Sequence, residues 1–143
     1  QPFGILFLVV AVLPAICEEV LFRGFLYGTF REHWKSWVAI LLSGLLFSVY
    51  HMNIVQLLAI WILGCVMAYS VHCSKSIFTS MTIHFCNNGL AVCMLAFPKS
   101  VQRMLPFLQI SAEKAGVRTY LLLFDCAIFL AGIGIFLLKK GKK

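Results

Sequence analysis

The chain has 143 residues, 62% of them hydrophobic and only 12% charged, with a formal net charge of +7. A soluble domain of this size leaves too much of its surface exposed to hide so much apolar area, so the composition excludes an ordinary water-soluble fold and points to a bilayer. The positive charge does not indicate nucleic acid: much of it lies in the terminal KKGKK and in short polar connections, where membrane proteins meet anionic headgroups.

Spanning the hydrocarbon core takes about 20 apolar residues in a helix. On that scale the sequence predicts an all-α, polytopic transmembrane bundle of about five helical segments, forming one membrane domain over 1–143. The first segment covers about 3–30, with Pro14 expected to kink or break it. REHWKS (31–36) follows as a polar connection, with Trp34 and Trp37 placed for an interfacial belt. The second segment is 37–52. A tight turn near Asn53 leads to the third, about 54–72, in which Gly64 and Ala68 form a small-xxx-small pair suited to close helix contact. The fourth runs from Ile77 to about Phe97. Residues 98–118 read as an amphiphilic connection suited to an interfacial helix, and 119–138 as a last span before the basic tail. No segment alternates like a barrel strand.

If connections alternate sides, Arg31, Lys35, Lys75 and the four tail lysines share one face, against Lys99, Arg103, Lys114 and Arg118 on the other. That bias predicts a cytoplasmic C-terminus. The six cysteines form no CxxC pair and sit mostly in apolar runs, where cysteine acts as a small hydrophobe. The cysteine content and short loops suggest a bacterial plasma membrane.

Ionisable groups inside a span cost about 2.5–3.5 kcal/mol each on insertion scales and tend to mark function. In EEVLFR (18–23), Glu19 and Arg23 are i and i+4 and can pair, while Glu18 points about 100° away and is left free. A structural ion-pair network between helices is the competing reading of the same residues. FSVYH (47–51) sets Phe47 one turn from His51; an interfacial histidine is the plainer reading there. HFCNN (84–88) sets His84 one turn from Asn88, with polar helix–helix contact as the plainer alternative. Together they compose a hydrolytic site: Glu18 takes a proton from water, His51 positions it, and His84 and Asn88 donate to an oxyanion. Asp125, Cys86, His33 and His72 read as packing or interfacial residues.

EExxxR (Glu18, Glu19, Arg23, followed by Gly24), FxxxH (Phe47, His51) and HxxxN (His84, Asn88), in this order, resemble the CPBP family. That family includes type 2 CAAX prenyl proteases and bacterial abortive-infection and bacteriocin-processing membrane proteins. The resemblance covers 18–88 and implies a family core over about 3–97. Members carry several spans before EExxxR, so upstream helices are expected to be missing from this chain. The resemblance implies an intramembrane endopeptidase acting on a membrane-associated peptide or protein, prenylated or of bacteriocin type, amid membrane lipids. It assigns water activation to Glu18 and His51 and oxyanion stabilisation to His84 and Asn88. It leaves the mechanism open between a glutamate protease and a metalloprotease, in which Glu18, His51 and His84 would hold Zn²⁺. A catalytically silent scaffold or immunity protein, and a small proton- or ion-coupled transporter, are the alternative functions.

Overall fold

The computed structural model describes residues 2–97, and among these there is no strand. Four helices, counted among the described residues, follow one another: α1 (Phe3–His33), α2 (Ser36–Tyr50), α3 (Leu57–Ser74) and α4 (Ile77–Ala96). The expected segments 98–118 and 119–138, with Asp125, lie outside the described residues. α1 and α3 are long and apolar enough to cross a membrane, whereas α2 is apolar but shorter. The polar side chains of the HFCNN stretch keep α4 out of that apolar class despite its 20 residues.

Of the kink or break expected at Pro14, the break does not occur: α1 runs through it. The helix absorbs it by winding wide: Leu8–Val12 and Val20–Leu26 are π-type turns, in which Leu13 N–H donates to Leu8 and Tyr27 N–H to Phe22, five residues back. Proline lacks the N–H that would reach the carbonyl four residues earlier, here Val10. Asn88 of α4 supplies a donor instead, Nδ2 to Val10 O at 3.1 Å. Inserted π-turns occur frequently at functional sites, and the second one here begins directly after Glu19.

Short connections make consecutive helices antiparallel, so the turn at 51–56 lies at one end of the bundle and the links at 34–35 and 75–76 at the other. Met52 (φ 47°) and Lys75 (φ 60°) take the left-handed conformation that lets the chain reverse there. α2 and α3 cross through two glycines. A Cβ on Gly64 would lie 2.9 Å from Gly44 Cα, and one on Gly44 would lie 2.6 Å from Cys65 Sγ and 2.9 Å from Cys65 N. The predicted small-residue contact thus centres on Gly64 with Gly44. Ala68 packs in a neighbouring cluster with Tyr27 and Ala39, and Phe22, Phe47, Leu63 and Met67 form the other buried cluster. Ile5, Val9, Ile16, Val20 and Phe25 lie exposed along α1, an apolar outer surface suited to lipid.

Candidate active site

Three helices bring charge to the centre of the bundle. Glu19 and Arg23 occupy adjacent turns of α1 and are wholly buried, with Arg23 Nη1 2.8 Å from Glu19 Oε1. The guanidinium also donates through Nη2 to Gly64 O at 3.0 Å and lies over the Phe47 ring, 4.3 Å from its centroid. That carbonyl is reachable because the glycine crossing brings the α3 backbone close. Glu19 has a second partner that sequence spacing did not reveal: His84 Nδ1 sits 2.8 Å from the same Oε1. Glu19 is therefore more than half of a self-neutralising pair. It ties α1 to α4 as well as to Arg23.

His51 ends α2, its Nδ1 2.8 Å from Phe47 O. A backbone carbonyl only accepts, so Nδ1 carries the hydrogen. The same reasoning applies to His84, whose Nδ1 faces the Glu19 oxygen that also accepts from Arg23. Both rings present Nε2 to one point, and Glu18 Oε2 lies 3.9 Å from each of these nitrogens. Phe47 holds the two rings apart, its centroid 4.6 Å from that of His51 and 5.6 Å from that of His84 in edge-to-face contact. Glu18 Oε2 is buried and has no hydrogen-bond partner among the described residues. At 3.9 Å the three groups do not bond directly, and that spacing suits a bridging molecule.

A cavity of about 150 Å³ adjoins the cluster, lined by His51, His84, Asn88, Phe47 and apolar side chains of α3 and α4, with Gln56 and Asn87. Glu18 is not part of its wall; its Oε2 lies 3.9 Å from the Nε2 atoms of His51 and His84, two residues that are. The structure thus gathers Glu18, Glu19, Arg23, Phe47, His51 and His84, with Asn88 on the same cavity wall but committed through one N–H to Val10. Gln56 and Asn87 escaped the sequence reading. Asn87 lies three residues from His84, a spacing that shares the helix face as readily as the four-residue one, and Gln56 is hidden in a polar turn. His72 bonds Tyr27 OH through Nδ1 at 3.0 Å, so it is a partnered helix-end residue; His33 and Cys86 are exposed.

One carboxylate and two imidazoles anchored at Nδ1 are suitable donors for zinc in kind. Tetrahedral coordination with bonds near 2.1 Å places ligand atoms about 3.4 Å apart, closer than the 3.9 Å here. Among the described residues no three His, Cys, Asp or Glu are gathered tightly enough to hold an ion. As they stand, these residues do not fit a metal, and no step below is routed through one.

Comparison with curated proteins and with solved structures returned no match. The family model described as Type II CAAX prenyl endopeptidase Rce1-like matches residues 1–90. With its helical fold and its match over most of the chain, this protein belongs to the Rce1-like family of type II CAAX prenyl endopeptidases, which are helical membrane proteins.

Proposed function

We propose that the chain hydrolyses a peptide bond of a CAAX-type substrate within the membrane, using a water activated by Glu18. The observation that carries this reading is the equal 3.9 Å spacing of Glu18 Oε2 from the Nε2 atoms of His51 and His84, beside a cavity. A transport path would string polar groups across the membrane depth, whereas here they converge on one point.

Proton inventory divides the roles. Glu18 Oε2, His51 Nε2 and His84 Nε2 are three acceptors facing the same position, and one water offers only two hydrogens. The oxyanion role given to His84 needs a hydrogen on Nε2 besides the one Nδ1 directs at Glu19, so the scheme places both on this ring. The water then donates to Glu18 and His51. Glu18 takes its proton as the oxygen attacks the substrate carbonyl carbon. His84 Nε2–H and the second N–H of Asn88 receive the oxyanion. As the tetrahedral intermediate collapses, the C–N bond breaks and the proton held by Glu18 passes to the leaving amine. The products are a carboxylic acid and an amine, which become carboxylate and ammonium by passing the acid's proton to the amine, one water having been consumed.

The test is incubation of the purified full chain in lipid nanodiscs with a prenylated peptide ending in a CAAX sequence. Mass spectrometry of the products is expected to show cleavage of a peptide bond within the CAAX sequence. Intact peptide would contradict the proposal and favour the scaffold reading. A parallel arm treats the protein with chelator. Retained cleavage agrees with water activated by Glu18 alone, and a loss restored by zinc would contradict it.

A further inference from the structure

The cavity holds two polar groups that the hydrolytic scheme does not use. Asn87 Oδ1 is buried and meets no donor among the described residues. The neighbouring amide hardly satisfies the residue: Asn87 Nδ2 lies 3.5 Å from Asn88 Oδ1, at the limit of a hydrogen bond. An acceptor removed from water and left unpaired is destabilising until a donor reaches it. Gln56 is the second group. Its Oε1 accepts from Asn53 Nδ2 at 3.0 Å, while Asn53 Oδ1 accepts from Gln56 N at 3.3 Å. This reciprocal clasp fixes the side chain, and no described residue accepts from Gln56 Nε2.

Ala59, Ile60, Leu63 and Ala91 offer no polar side-chain atom to the rest of the wall. Apart from His51, His84 and Asn88, the described lining therefore holds one unpaired acceptor, the buried Asn87 Oδ1 on α4, and one unpaired donor, Gln56 Nε2 at the entry to α3. An acyl chain needs neither, and an anionic headgroup calls for donors only. A peptide backbone offers both complements within one residue, an N–H and a C=O. We propose that Asn87 and Gln56 form a subsite for the substrate's main chain, Asn87 accepting from a peptide N–H and Gln56 donating to a peptide carbonyl. The subsite rests on the reading of this cavity as the peptide-binding side of the active site, and deepens it: the backbone is held independently of side-chain sequence, beside the histidines that line the same cavity.

The test is a binding measurement on the full chain carrying Glu18→Gln, which keeps the peptide intact. Anisotropy of a fluorescent prenylated CAAX peptide is titrated against this protein in nanodiscs. Adding Asn87→Ala or Gln56→Ala is expected to raise Kd about three- to tenfold, the value of one neutral hydrogen bond. Peptides N-methylated at one backbone position at a time read the Asn87 contact with every side chain in place. One of them is expected to lose the same affinity against the Asn87 protein and nothing further against Asn87→Ala, because both changes remove one bond. Unchanged Kd in both variants, penalties that add at every position, or a methylation series with no sensitive position would each overturn the subsite, as would absence of peptide binding. Binding with the expected pattern but no cleavage by the unmodified chain leaves the subsite standing and removes the protease proposal. Cleavage indifferent to Asn87 and Gln56 does the reverse.

Discussion

Glu18 and Glu19 share a peptide bond and little else. Helical rotation turns Glu19 into the bundle, where it is 0% exposed between Arg23 and His84, and turns Glu18 toward the imidazole Nε2 atoms with 19% of its side chain exposed. The two carboxylates should respond differently to the same substitution. Glu19→Gln leaves Arg23 buried with only neutral carbonyl acceptors, Gly64 O and the glutamine Oε1, and no counter-charge. Breaking a buried pair from one side costs about 3–5 kcal/mol, so thermal unfolding in detergent should fall sharply. Glu18→Gln removes no bond that holds helices together, and the same measurement should move by less than about 1 kcal/mol. Equal losses would show that both residues are structural. The pairing of Glu19 with Arg23 was legible in the sequence because it lies within one helix turn. Its bond to His84 was not, since 65 residues separate them and only the packing of α4 on α1 brings them together.

At the scale of elements, the four described helices coincide closely with the segments read from hydropathy, because length and apolarity in lipid leave few alternatives. Of the two outcomes expected at Pro14, a kink or a break, the break does not occur, because π-type turns and a donor from another helix accommodate the proline. That exchange is measurable. Asn88→Ala should destabilise the fold by about 1 kcal/mol, the usual value of a hydrogen bond, and by less in a Pro14→Ala background, where the alanine brings its own N–H for Val10. Additive losses would separate Asn88 from the proline. The glycine crossing makes a second demand. A side chain at Gly64 pushes against the Gly44 backbone, which cannot yield as a flexible side chain would. Gly64→Ala should cost about 1–3 kcal/mol in unfolding experiments. Because Gly64 O also receives Arg23 Nη2, it should slow peptide cleavage as well. A Gly64→Ala protein with full stability and rate would remove the crossing from the account.

Across the whole molecule, the site is assembled from helix segments that are individually plain. α1 supplies Glu18, the base of the proposed mechanism, and the buried brace, α2 a histidine and the Phe47 partition, and α4 the second histidine with two amides. The motifs were legible as residues out of place in lipid, and their order carried the family resemblance that the match over residues 1–90 bears out. Gln56 and Asn87 were not, since polar residues in a turn or beside a stronger motif carry no signal until a cavity forms around them. The account's central claim is that Glu18 is the group that activates water. The most direct measurement compares kcat for prenylated-peptide cleavage by the unmodified chain and by Glu18→Gln, at matched thermal stability. Loss of a general base predicts a fall of about 10²–10⁴-fold. A Glu18→Gln protein that folds normally and cleaves at the unmodified rate would contradict it.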